Sequence, residues 1–301
     1  MRDMTSAEAA FAAYETVRPR LPAAQFPGGS ERVPDLGALM DRMDAFLLDA
    51  FGVLNVGESA IPGAVDAVRA LRDAGKRVMI VSNAAGYCKR LMLERYARLG
   101  FAFAAGDVVS SRDVTLAALH GRPLGRIGLM AARAYGTEGI DHLDAIFLAD
   151  DPAEYDRADS FVFLGAGEWT ETRQALLEDA LSRRPRPLYV GNPDLVAPRE
   201  TGLSKEPGHY AHRIADRTGI VPEFFGKPFG NIFDHALARL SGVARDRIVM
   251  VGDTLQTDIL GGRAAGLKTA LVTGHGALVG LDPDAAIARS GIVPDYILPS
   301  I

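Results

Sequence analysis

Four short stretches hold residue types whose spacing could do chemistry. Asp49 follows the apolar run Ala45-Phe46-Leu47-Leu48, and Gly52 comes three residues later, where a chain leaving a sheet can turn. Ser82-Asn83 follows the run Arg77–Val81 and offers a hydroxyl and an amide. Gly226-Lys227-Pro228 follows Glu223–Phe225 and sets a cation beside a helix start. Asp253 and Asp258 lie five residues apart just after Ile248–Val251. Together they offer a carboxylate nucleophile, donors for phosphoryl oxygens, a neutralising cation, and hard oxygen ligands for a divalent metal. Singly, each has an ordinary role: a turn-starting Asp, a Ser-Asn helix cap, a solvated Lys. Their repeated placement at strand ends carries the case, because open α/β sheets bind ligands outside the carboxyl ends of their strands.

The elements that must position them alternate along the chain. Residues 6–18 read as a short helix capped by Ser6, and Pro19 to Pro34, with four prolines and two adjacent glycines, as a connector, so the compact part is expected from Asp35. Strands are expected at 45–48, 77–81 and 107–110, with helices between them that end near Gly75, Gly100 and Gly121. A second set of strands follows at 127–130, 145–148, 161–164 and 188–190, with a helix over 169–182. The first rhythm resumes at 223–226, with a helix over 231–240, strands at 247–251, 268–272 and 296–298, and a helix ending at Gly266. Such alternation predicts a doubly wound, Rossmann-like α/β core with a parallel sheet. The expected organisation is an N-terminal extension (1–34), a core (35–121 and 221–301) and an inserted α/β cap (122–220).

Composition narrows the function class. The 301 residues are 48% hydrophobic and 24% charged, the balance of a globular protein large enough for two domains. A net charge of −5, with both signs interspersed, gives no footprint for nucleic acid or an anionic membrane. The single cysteine, Cys88, excludes an intramolecular disulfide and fits a reducing compartment. The N-terminus lacks the apolar core of a signal peptide, and no apolar run has the length of a membrane span, so a cytoplasmic protein is expected.

In their order, Asp49, Ser82, Lys227 and Asp253/Asp258 resemble the four signature motifs of the haloacid dehalogenase-like hydrolase superfamily. The match is nearest to the class IIA branch of NagD-like and pyridoxal-phosphate-phosphatase-like enzymes. Residues 251–267 are similar to its fourth motif, and Gly191-Asn192-Pro193-Asp194 and Gly226-Lys227-Pro228 to its Asn-Pro-Asp and Gly-Lys-Pro elements. The resemblance covers residues 42–298 and leaves the N-terminal stretch outside it. It implies a Mg²⁺-dependent phosphatase of a small organic phosphate, with a cap that closes over the site and homodimerisation as an unsurprising property. By the same resemblance Asp49 forms an aspartyl-phosphate, Ser82 and Asn83 bind the phosphoryl oxygens, and Lys227 neutralises charge. Mg²⁺ would be held by Asp49, Asp253, Asp258 and the carbonyl of Phe51, and Asp194 would help shape the closed site.

Phe51 is the departure. The family's phosphatases carry there a second Asp, which protonates the leaving oxygen and later activates water. Phe can do neither, and a placed proton-transfer group is typically worth about 10²–10⁴ in rate. The opening Asp49-Ala50-Phe51-Gly52 also resembles that of 2-haloacid dehalogenases, whose leaving halide needs no proton but which work without metal. Three readings stay open: a phosphatase, a hydrolase of another bond through an Asp49 ester, and a phosphate-binding protein that has lost turnover. Elsewhere, Trp169 reads as cap packing, His209 and His212 as solvent-facing, and Cys88 as a buried structural thiol. Asp150, Asp151, Asp156 and Asp159 read as solvated loop charges.

Overall fold

The computed structural model describes residues 6–199 and 202–301. Apolar runs of strand length pair into a seven-stranded sheet, ordered Glu31–Arg32, Tyr296–Leu298, Lys268–Val272, Ile248–Gly252, Ala45–Leu48, Arg77–Ser82, Val108–Ser110. All neighbours in it run parallel. From Ala45–Leu48 the chain first winds outward through Arg77–Ser82 and Val108–Ser110. It then returns to build the other half from Ile248–Gly252, so the strand order reverses between these two central strands. That reversal is the switch point at which doubly wound sheets hold ligands. Ala45–Leu48 is buried throughout, and its alternation serves two layers. Phe46 and Leu48 pack with Ile80, Val249 and Val251; Ala45 and Leu47 pack with Val81, Ile248 and Met250.

A second parallel sheet has five strands, ordered Glu223–Phe224, Leu188–Val190, Ser160–Phe163, Ile127–Met130, Ala145–Phe147. Its edge corrects one expectation. The strand at 223–224 does not resume the core but pairs with the second sheet, Tyr189 opposite Glu223 and Val190 opposite Phe224. Strand periodicity reports a buried extended segment, not the sheet it joins. The chain therefore crosses back to the large sheet at Gly226-Lys227, so the crossing itself carries the lysine.

The N-terminal stretch brings a second correction. The helix Ala7–Val17 forms with Ser6 as its cap, the Ser6 hydroxyl accepting from the Ala9 amide at 3.2 Å. It is not a detached extension. Phe11 packs with Leu255, Ile259, Leu260 and Leu271 of the large-sheet unit, while Ala10, Tyr14 and Val17 pack with Leu195 and Val196. The connector then ends in the edge strand Glu31–Arg32, so compact structure begins well before Asp35. No helix among the described residues is long and apolar enough to cross a membrane.

The helix makes a quantitative demand. Phe11 is only 3% exposed, with the guanidinium of Arg289 4.5 Å from its ring centroid. Phe11→Ala should therefore destabilise the whole protein by about 3–5 kcal/mol in denaturant melts, the cost of emptying a core phenylalanine site. A loss below about 0.5 kcal/mol, as expected of a surface position, would mean the helix is an appendage.

Candidate active site

Strand ends at the switch point converge on one lysine. The Asp49 amide donates to the Val251 carbonyl at 2.9 Å, continuing the strand pairing and fixing where its side chain emerges. Lys227 Nζ lies 2.6 Å from Asp49 Oδ1 and 2.7 Å from Asp258 Oδ1, and its side chain is 2% exposed. Burial pulls the ammonium's pKa down, but the charges of Asp258, Asp49 and Asp194 override this and hold it above its ordinary value.

Asn83 locks that lysine in place. Its Oδ1 accepts from the Lys227 amide at 2.7 Å and from Ser111 Oγ at 3.1 Å. Its Nδ2 donates to the Lys227 carbonyl at 2.9 Å and to Asp194 Oδ1 at 2.8 Å. With its oxygen and both amide hydrogens engaged, the side chain holds Lys227 and Asp194 and has no donor left for the phosphoryl contact expected of it. Gly226, at φ +128°, is required here: a Cβ would fall 2.3 Å from Ser111 Oγ, 2.6 Å from Asn83 Oδ1 and 2.7 Å from Pro193 Cδ. Ser82 ends its strand buried, its Oγ accepting from the Ala84 amide at 3.2 Å, and the residue borders the cavity described below.

Three carboxylates close around one point. Oxygens of Asp49, Asp253 and Asp258 all lie within 4.8 Å of one another. Asp253 Oδ1 accepts from Thr254 Oγ1 at 3.1 Å and Oδ2 from the Ala277 amide at 2.6 Å; Asp258 Oδ2 accepts from the Thr254 amide at 3.1 Å. Burial pushes both carboxyls up. For Asp253 the charges of Asp258 and Asp49 add to it; for Asp258, which reaches about 6, Lys227 opposes and Asp49 adds. Three acids against one lysine leave negative charge uncompensated in a buried, oxygen-only donor set, the chemistry that suits a hard divalent cation. Asp194 is likewise pushed well above the carboxylate range by burial, against the pull of Lys227.

These groups open into a cavity of about 700 Å³. Asp49, Ser82, Asn83, Asp194, Lys227 and Asp253 are among the residues that line it. Phe51, Tyr87, Tyr135 and the hairpin residues Arg199, Ser204 and Lys205 line it too. Tyr87 and Tyr135 are in contact, ring centroids 4.6 Å apart. Sequence patterns do not single out Arg199, Tyr87 or Tyr135. The hairpin of Val196–Arg199 with Gly202–Lys205 has too little alternation to announce itself, and only the fold brings it over Phe51.

The minor residues divide. Trp169 packs with Phe163 and Tyr155 and donates to Gln174, and Cys88 is fully buried; both match expectation. Asp150, Asp151, Asp156 and Asp159 are exposed, pairing with Arg173, Arg183 and Arg184 or capping backbone amides. His209 and His212 are not solvent-facing: each is 2% exposed. His209 meets the Tyr210 ring edge-on and His212 stacks on Phe224, and burial pulls both imidazoles down to about 4. Arg20 of the N-terminal segment reaches their helix, donating to the His212 carbonyl at 3.4 Å.

Comparison with known proteins agrees with this geometry. Residues 46–139 match the model of the haloacid dehalogenase-like hydrolase family, and residues 224–301 match a second HAD-hydrolase-like model. A glycerol-3-phosphate phosphatase of Gallus gallus is 34% identical, over 88% of this chain and 91% of its own. A Cytophaga hutchinsonii structure described as a possible sugar phosphatase is 28% identical, with a TM-score of 0.78 over 90% of this chain and 98% of its own. A glycerol phosphate phosphatase of Mycobacterium tuberculosis, determined in complex with magnesium, is 26% identical, with a TM-score of 0.67 over 86% of this chain and 75% of its own. With the Gallus gallus relative matched along most of both chains and the family models matching at both ends of this one, the chain belongs to the haloacid dehalogenase-like hydrolases, in their class IIA branch.

Proposed function

We propose that the chain is a Mg²⁺-dependent phosphatase of small organic phosphates, working through an aspartyl-phosphate on Asp49. The observation that carries this reading is the buried Lys227 bridging Asp49 and Asp258, with Asp253 beside them in the lining of a substrate-sized cavity. Phosphoryl transfer asks for alignment and charge stabilisation at the equatorial oxygens more than for covalent ingenuity. Lys227 holds Asp49 Oδ1, which leaves Oδ2 to attack phosphorus. The Ser82 hydroxyl donates to a phosphoryl oxygen, and the lysine offsets charge as it builds there. Asp194, anchored by Asn83, lines the same cavity.

Asp49, Asp253 and Asp258, with the Phe51 carbonyl, would hold Mg²⁺, which when bound supplies a fixed positive charge against the phosphoryl oxygens. The magnesium complex of the mycobacterial relative supports that choice of ion. The carboxylate trio favours this reading over a dehalogenase-like ester, and the composition supports a cytoplasmic setting.

Two outcomes are expected. Purified protein should cleave 4-nitrophenyl phosphate only with Mg²⁺, and calorimetry should show Asp253→Asn binding Mg²⁺ at least about tenfold more weakly, with one anionic ligand gone. Equal Mg²⁺ affinity in wild type and variant would remove Asp253 from the site. Phe51→Asp, checked first by thermal melt, concerns the missing acid. The new carboxylate would lie between the guanidinium groups of Arg95 and Arg199, now 4.8 and 5.0 Å from the ring centroid, which would hold it ionised. An ionised group is a base and not an acid. The variant should therefore speed hydrolysis of the aspartyl-phosphate by about 10²-fold or more while improving alkyl phosphates less. Pre-steady-state burst kinetics separate the two steps; an unchanged second step would mean position 51 has no part in it.

A further inference from the structure

The two arginines on Phe51 are not equivalent. Arg95 is 4% exposed and committed to the core, its Nε donating to Glu58 Oε1 at 2.9 Å and its Nη2 to the Gly57 carbonyl. Arg199 comes from the Val196–Arg199 strand of the hairpin. Its Nε donates to Ser204 Oγ and its Nη2 to Glu206 Oε1, each at 2.9 Å, and Ser204 Oγ donates to the same Glu206 oxygen at 2.7 Å. Among the described residues Nη1 has no hydrogen-bond partner, and the side chain keeps 37% of its surface exposed while lining the cavity that holds Asp49. A guanidinium is thus oriented by a buried glutamate and a hydroxyl, stacked on the residue two positions beyond the nucleophile, with donor capacity in hand.

Resting on the phosphatase reading above, we infer that Arg199 determines substrate class, and that the preferred substrates are phosphates whose leaving group departs as an anion: acyl phosphates and phosphoric anhydrides. In-line displacement puts the leaving oxygen on the side of phosphorus away from Asp49. Phe51 has no proton to give that oxygen, and a guanidinium does not release one. What Arg199 can do is stabilise negative charge as it develops, and its planar pair of donors matches carboxylate and phosphate. The conjugate acid of a carboxylate is a far stronger acid than an alcohol. Without an acid, the first leaves readily and the second does not. Asp49 Oδ2 forms its bond to phosphorus as the bond to the leaving oxygen breaks. The electron pair stays on that oxygen, which departs as a carboxylate or phosphate paired to Arg199, and no proton moves. Water then attacks phosphorus, the bond to Asp49 breaks, and both water hydrogens leave on dihydrogen phosphate as the Asp49 carboxylate is regained.

The test compares kcat/KM for acetyl phosphate, 4-nitrophenyl phosphate and glycerol 3-phosphate in wild type, Arg199→Lys and Arg199→Gln, with melts to confirm folding. Wild type should prefer acetyl phosphate over glycerol 3-phosphate by about 10²-fold or more. Arg199→Gln should lower acetyl phosphate turnover by about 10- to 10²-fold and barely move glycerol 3-phosphate, while Lys restores part of the loss. Equal use of the two substrates by wild type, or a loss in Arg199→Gln that leaves their ratio unchanged, would overturn the inference and leave the phosphatase reading standing. No turnover of any of the three by Mg²⁺-loaded wild type would overturn both.

Discussion

The ion triplet of Asp49, Lys227 and Asp258 is the constraint on which the rest of the structure depends. A lysine enclosed to 2% exposure would ordinarily shed its proton, and the charges of Asp258, Asp49 and Asp194 hold it on. Lys227 in turn opposes the rise that burial imposes on Asp258. Breaking such a buried pair from one side costs about 3–5 kcal/mol, because the remaining charge has nowhere to go. The backbone gives way to it: a Cβ on Gly252 would fall 2.1 Å from Asp258 Cγ, and one on Gly276 1.9 Å from Asp253 Oδ2. Glycine at these positions lets the acids press against neighbouring main chain.

The same constraint ties the two sheets together. Lys227 stands where the chain leaves the edge strand of the smaller sheet, so the cation is set by one unit and its partners by the other. Asn83, from the large sheet, bonds the backbone of Lys227 on both sides and reaches Asp194 beyond the smaller sheet's Leu188–Val190. The N-terminal helix spans the join. The Tyr14 hydroxyl accepts from the Leu195 amide at 3.1 Å, next to Asp194, and Glu15 accepts from Gln256 at 2.8 Å, in the turn between Asp253 and Asp258.

Asp49, Ser82, Lys227, Asp253 and Asp258 were legible in sequence because parallel strands are buried on both faces and read as unbroken apolar runs, so a polar residue at the end of one stands out. Which sheet a strand joins was not legible, as the short strand at 223–224 shows, since pairing partners lie far off in the chain. Burial imposed by remote elements was equally hidden. His212 shows it: Arg20 of the N-terminal segment reaches its carbonyl across 192 residues of sequence. Arg199 escaped for the same reason: an arginine in a short hairpin carries no periodicity, and its meaning lies in the ring of Phe51, which lines the same cavity.

In the proposed mechanism Asp49 is a nucleophile, and the Phe51 side chain cannot hasten hydrolysis of its ester. Acid-quenched reactions with 4-nitrophenyl phosphate and Mg²⁺, digested and mapped by mass spectrometry, test this directly. The account predicts a phosphoryl group on the peptide containing Asp49, accumulating in wild type and absent from Asp49→Asn. Turnover without that adduct, or an adduct on another residue, would contradict it.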